Sequence, residues 1–193
     1  MNGGDAFGIC TVAADCQAGW GGDLGGEISP EGVGTDAAGN VYVADGNTRI
    51  QKFDSSGNWL RAWGKGVSGG KGGAKAFGIC TVAASCKAGS TGGNGGELSG
   101  PRAVATDAAG HVYVDEADNN RISVFDSSGN WLRAWGKGVN GGKAFGICTV
   151  ANHCRTGSIG ARGGEMFSPR AVAVDSAGSV YVADHANERI QKF

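Results

Sequence analysis

Pro101-Arg102-Ala103-Val104-Ala105-Thr106-Asp107-Ala108-Ala109-Gly110-His111-Val112-Tyr113-Val114 is the stretch that decides the fold. Arg102–Thr106 is short and apolar, and Pro101 stands just before it, where a missing N–H harms no ladder. Asp107-Ala108-Ala109-Gly110 is a hairpin turn, because Asp can bond its own backbone and Gly supplies a positive φ. His111–Val114 is β-branched and aromatic, the composition of a strand. Asp115–Asn120 reads as a polar turn and Arg121–Phe125 as a third strand. Asp126-Ser127-Ser128-Gly129 repeats the turn. Asn130–Trp135 is a fourth strand, and its alternation puts Trp131, Arg133 and Trp135 on one face.

This unit occurs three times. Pro30, Pro101 and Pro169 open the copies, 71 and then 68 residues apart. Val41-Tyr42-Val43, Val112-Tyr113-Val114 and Val180-Tyr181-Val182 recur at matching positions. Four short antiparallel strands per repeat make an all-β chain of β-propeller blades. The first strand of each blade lines the crowded axis, which suits the small residues Gly32, Val33 and Gly34, Ala103 to Ala105, and Ala171 to Ala173. A stacked sheet solenoid is the alternative. The divisions are an insert at 1–29, blade 1 at 30–63, an insert at 64–100, blade 2 at 101–135, an insert at 136–168, and blade 3 at 169–193. Blade 3 lacks its fourth strand, which leaves about 2.75 blades, an incomplete arc. Such an arc is expected either as a fragment of a longer chain or as one of two copies completing a ring.

Each insert carries one cysteine pair at constant spacing: Cys10 with Cys16, Cys80 with Cys86, Cys148 with Cys154. A local disulfide per module is the favoured reading. Metal ligation and buried free thiols are the alternatives. Zinc sites use shorter Cys spacings and further ligands, and only His153 lies in an insert. Disulfides imply an oxidising compartment, hence an extracellular or cell-surface location, although no signal peptide is visible at Met1-Asn2-Gly3-Gly4-Asp5. The expectation is therefore a piece of a longer secreted protein. The Gly-rich stretches of the inserts read as flexible linker.

Composition narrows the partners. The 193 residues carry 18 acidic and 17 basic side chains, a net charge of −1. That balance argues against nucleic acid or an anionic membrane held by bulk charge. No apolar run is long enough to span a membrane. Glycine, at 38 residues, has no Gly-X-Y period, which excludes collagen.

Chemistry is sparse. His111, His153 and His185 occupy three different repeat positions and read as solvated. No metal, catalytic or phosphate motif appears, so neither cofactor nor enzymatic activity is expected. Asp36, Asp54, Asp107, Asp126 and Asp175 open Asp-x-x-Gly turns rather than calcium loops. Arg102, Arg170 and Glu31 share the start of the innermost strand, at one mouth of the channel. They are the candidate binding residues, and a salt bridge between blades is the plainer reading. Lys65, Lys71, Lys75 and Lys87 make the second insert basic, while the first has only acidic charges. Oppositely charged inserts could dock on each other or on a partner.

Pro101–Asp107, Gly110–Val114, Asn120-Arg121-Ile122 and Phe125–Gly129 together resemble an NHL repeat, as do Pro30–Ile50 and Pro169–Ile190. The likeness departs at Glu31, where the other copies have Arg102 and Arg170, and at Asp115-Glu116. The resemblance implies a propeller of four-stranded blades, commonly six. It implies roles as protein-interaction modules, as extracellular sensor domains of bacterial membrane kinases, or in animals as RNA binders. Near-neutral charge and the cysteine pairs oppose RNA. The expectation is a non-enzymatic extracellular binding or scaffold module. Its partner is another protein or itself, through remaining blades or a second copy. The alternative is a fragment of a propeller enzyme of the metal-dependent lyase or lactonase type.

Overall fold

The structure is a computed structural model, and it describes residues 21–68 and 76–193. The Cys10–Cys16 pair lies outside the described residues. Three antiparallel sheets follow one another along the chain. The first contains β1 (Pro30–Thr35), β2 (Val41–Asp45), β3 (Arg49–Phe53), β4 (Trp59–Lys65) and β5 (Phe77–Cys80) in sequential order. The second repeats it with β6 (Pro101–Thr106), β7 (Val112–Glu116), β8 (Arg121–Phe125), β9 (Trp131–Lys137) and β10 (Phe145–Cys148). The third holds β11 (Ala171–Val174), β12 (Val180–Asp184) and β13 (Arg189–Lys192). These are propeller blades forming an arc that is not closed. The four expected strands of blades 1 and 2 are present. A fifth comes from each following insert and covers the outer edge, so the cysteine module is part of the sheet.

The turns form as their chemistry requires. Asp107 Oδ1 accepts the N–H groups of Ala109 and His111, each at 2.9 Å, and the other four Asp-x-x-Gly turns repeat this pattern. His111 is not simply solvated. Its Nδ1 lies 2.8 Å from Asp107 Oδ2, where Asn40, Asn58 and Asn130 donate a side-chain amide to their own aspartates. Burial raises the Asp107 pKa, but the bonds from His111 and Tyr113 outweigh it and hold the carboxyl below its usual value.

Both faces of blade 2 are buried because blades 1 and 3 stack on it. Tyr42, Ile50 and Trp63 of blade 1 form one core with Leu98, Val104, Val114 and Phe125 on the blade 2 side. Tyr113, Ile122, Val124 and Trp135 of blade 2 form the next core with Met166, Val172, Val180 and Val182. Inner strands β1, β6 and β11 run side by side. At Gly32 an added Cβ would meet the Arg102 carbonyl oxygen at 2.3 Å, so the close approach of β1 and β6 requires glycine there.

One detail departs from simple alternation. A bulge between Val124 and Phe125 places Phe125 opposite Trp131, while Ile122 lies opposite Trp135. The same bulge occurs in blade 1, with Phe53 opposite Trp59. An extra residue in a ladder reverses the facing of everything beyond it. Trp63 and Trp135 therefore enter the cores with the following blade, whereas Trp59 and Trp131 cover the cysteine modules, Trp131 also packing against the core between blades 1 and 2.

Candidate functional site

The inserts are built from two parts, each held to the blade by a different device. The first part is the cysteine module. Cys80 is bonded to Cys86, with Cα atoms 5.7 Å apart, and Cys148 to Cys154, at 5.6 Å. β5 pairs with β4 in register from Lys65↔Phe77 to Ala62↔Cys80, and β10 with β9 likewise. A short 3-10 turn, Ala83–Ser85 or Ala151–His153, reverses the chain so that the second cysteine returns to the first. Val67, Cys80 and Cys86 pack under Trp59, and Val139, Cys148 and Cys154 under Trp131. The tips remain outside, with Val82 60% and Val150 50% exposed.

The second part is a Gly-Gly-Glu turn just before each blade: Gly25-Gly26-Glu27, Gly95-Gly96-Glu97 and Gly163-Gly164-Glu165. Glu97 Oε2 accepts the Asn94 N–H at 3.1 Å, and Glu27 and Glu165 do the same at Leu24 and Arg162. The linker reading is corrected for these segments. A Cβ at Gly95 would lie 2.6 Å from Ala151 Cα and 2.8 Å from the Trp131 ring. Glycine is needed for packing here, not for freedom. Of the lysines of this insert, Lys65 pairs with Glu97 at 3.6 Å, as Lys137 does with Glu165 at 3.7 Å, while Lys71 and Lys75 lie outside the described residues.

One arginine per blade holds the turn before it, and in blades 1 and 2 it also reaches the chain just past the following cysteine module. Arg121 is fully buried, and its Nε lies 2.8 Å from Glu116 Oε1. Its Nη atoms donate to the carbonyls of Gly93, Asn94 and Glu97 in the preceding turn, and to Arg155 just past the following cysteine module. Arg49 repeats this with Asp45, donating to Gly22, Asp23, Leu24 and Glu27, and to Lys87. Arg189 pairs with Asp184 and donates to Ala161, Arg162 and Glu165. A planar guanidinium has five donors in a fixed fork and can serve more carbonyls at once than an ammonium with three. These arginines were not singled out from sequence. The signal was available in the Arg-Ile that opens every third strand and in the recurring Gly-Gly-Glu.

The channel-mouth residues are only partly brought together. Arg102 Nη1 and Glu31 Oε2 form an ion pair of 3.3 Å between blades, with both side chains about two-fifths exposed. Among the described residues Arg170 has no ion-pair partner, and it is exposed. Beneath Arg102 lies a group the sequence reading missed. Asp115 occupies the place of Ala44 and Ala183, fully buried. Its Oδ1 accepts the N–H groups of Arg102 and Ala103, and its Oδ2 has no partner. Burial, the largest influence, pushes its pKa up to about 7. Among the described residues no three His, Cys, Asp or Glu side chains converge to hold a metal ion. No described helix is long and apolar enough to cross a membrane.

Repeated antiparallel sheets with small inner strands and stacked faces define a propeller-type repeat protein. Residues 168–193, the span of the third blade, match the NHL repeat family model. No curated protein matches the chain. Among solved structures it is similar to an auxiliary nutrient binding protein from Bacteroides thetaiotaomicron, at 13% identity and TM-score 0.47, covering 83% of this chain and 36% of that one. It is similar also to the Kuenenia stuttgartiensis hydrazine synthase, at 14% identity and TM-score 0.32, covering 96% of this chain and 52% of that one. A third is a putative oxidoreductase (glucose dehydrogenase) from Thermus thermophilus, at 11% identity and TM-score 0.34, covering 88% of this chain and 80% of that one. The chain thus spans about a third of the first of these and about half of the second.

Proposed function

We propose that the chain is a non-enzymatic binding or scaffold module that works outside the reducing cytosol and presents its stapled inserts to a protein partner. The observation that carries this reading is the rigid display of equivalent apolar tips. Val82 and Val150 stand exposed at the same place on successive disulfide-closed turns. Each turn is anchored by a strand, a tryptophan and a buried arginine. A stiff, repeated apolar tip loses little entropy when a partner covers it. Two local disulfides support an oxidising compartment.

Metal analysis and peptide mapping of protein isolated from its natural compartment test the reading together. Intact Cys80–Cys86 and Cys148–Cys154 bonds without stoichiometric metal are the expected result. One tightly bound zinc or calcium per chain would overturn it in favour of a lyase or lactonase type of propeller enzyme. Free thiols would overturn the location.

A further inference from the structure

One row of side chains differs between the two seams. Ala44, Ile50 and Trp63 lie opposite one another across β2, β3 and β4, all fully buried in the core between blades 1 and 2. In blade 2 the same row is Asp115, Ile122 and Trp135, on the face that blade 3 covers. A carboxyl thus stands where the first seam has a methyl group. Asp115 is fully buried, and its Oδ2 has no hydrogen-bond partner. A buried carboxyl with one oxygen unserved is costly in its charged form and tolerable in its neutral form.

The charges around Asp115 do not offset this. On its own strand Glu116 opposes ionisation, and Glu116 is itself bound to Arg121 of β8. Arg102 of β6 favours ionisation, but its Nη1 is paired with Glu31 and its Nε is buried without a partner. From blade 3, β11 packs on β6 and β7 and brings no charge, and Arg170 just before it is exposed. Burial is the largest influence and pushes the carboxyl up to about 7.

The second seam also lacks the polar clips of the first. Along the inner strands Arg102 pairs with Glu31 at 3.3 Å, and the Thr106 hydroxyl donates to the Thr35 carbonyl at 2.8 Å. The corresponding residues of the second seam are Arg170 with Arg102 and Val174 with Thr106. Two arginines form no ion pair, and a valine side chain donates no hydrogen bond.

We propose that the seam between blades 2 and 3 is a proton-controlled hinge, closed over neutral Asp115 and loosened when the carboxyl ionises and draws water in. The ionised carboxyl regains its hydration only when blade 3 moves off the row, so the open state binds fewer protons than the closed one. The first seam, with Ala44 in the row, does not respond. The hinge lies in the blade faces rather than the insert tips, so it stands independently of the binding reading above.

Two indole N–H groups test it. Trp63 Nε1 in the first seam and Trp135 Nε1 in the second are both buried without a partner, so each exchanges with solvent only when its seam opens. Their hydrogen exchange is followed by NMR on the full chain at pH 6 and pH 8, with the intrinsic rate of free indole divided out. Protection of Trp135 is expected to fall about tenfold over this range, the linkage between a closed-state value of about 7 and the ordinary carboxylate value when open. Protection of Trp63 is expected to stay constant. Asp115→Ala, which restores the residue of the sister blades, and Asp115→Asn are each expected to make Trp135 as insensitive to pH as Trp63. Constant protection of Trp135 in the wild type overturns the proposal. So does an equal fall at both indoles, which would report global unfolding, or a fall that survives both variants.

Discussion

The Ser123 hydroxyl donates to Glu116 Oε1 at 2.5 Å in blade 2, where Gln51 Nε2 donates to Asp45 Oδ2 at 2.7 Å in blade 1. The long and short partners have exchanged places. Glutamate reaches one methylene further than aspartate, and serine leaves the room for it. Blade 3 keeps the first arrangement with Gln191 and Asp184, at 3.0 Å. The exchange has a cost. Gln51 Oε1 also accepts the Trp59 indole N–H at 2.8 Å, whereas the Trp131 Nε1 is buried without a partner.

Glu116→Asp and Ser123→Gln should therefore each destabilise the chain while the double variant recovers. The first leaves Ser123 and Arg121 short of their acceptor, and the second overfills the site. Urea unfolding of all four proteins should give a favourable coupling of about 1–3 kcal/mol. Additive losses would show that the two positions are independent.

Arg121→Leu removes the donor to four carbonyls and leaves Glu116 buried without its counter-charge. Breaking a buried pair from one side costs roughly 3–5 kcal/mol. Arg121→Lys should recover only part of it, because an ammonium cannot fork to the same oxygens. Hydrogen exchange should show the loss first at Gly92 and Gly95, whose amides bond Leu98 and Ala151. Full stability in Arg121→Lys would show that charge alone is enough.

Replacing Cys148 and Cys154 together by serine should lower stability by about 2 kcal/mol, the chain-entropy value for a seven-residue loop. The change should stay local, with Trp131 fluorescence shifting to the red as the module beneath it loosens. A loss of all three blades at once would contradict this.

Asp115 makes the chain sensitive to pH. Its folded pKa of about 7 lies above the unfolded carboxylate value, so the folded state holds the extra proton. The contribution is fully present below about pH 4 and is lost as pH rises through about 7. Asp115→Asn keeps an acceptor for the Arg102 and Ala103 N–H groups and cannot ionise. It should raise the melting temperature at pH 8 and change it little at pH 5. Equal effects at both values would remove Asp115 as the cause.

Strand positions and turns were legible because they rest on local chemistry. Asp107 and Gly110 make their hairpin from within four residues. The cysteine partners were legible because spacing repeated in every unit. The facing of Trp131 was not, since a bulge leaves no mark in an alternating pattern. Nor was Asp115, which reads as one more turn residue until the bulge between Pro101 and Val104 brings two backbone N–H groups to it.

By itself the sequence determined three antiparallel blades, their small inner strands and the two described disulfides. All of these follow from period-two patterning, turn residues and a repeat within reach of a few positions. Only the tertiary structure decided what joins the blades and inserts. Arg121 meets Gly93, 28 residues before it, and Arg155, 34 after it. Lys52 reaches Ser127 across 75 positions. Such contacts depend on how sheets stack and where a guanidinium finds unpaired carbonyls, and no local pattern encodes that distance.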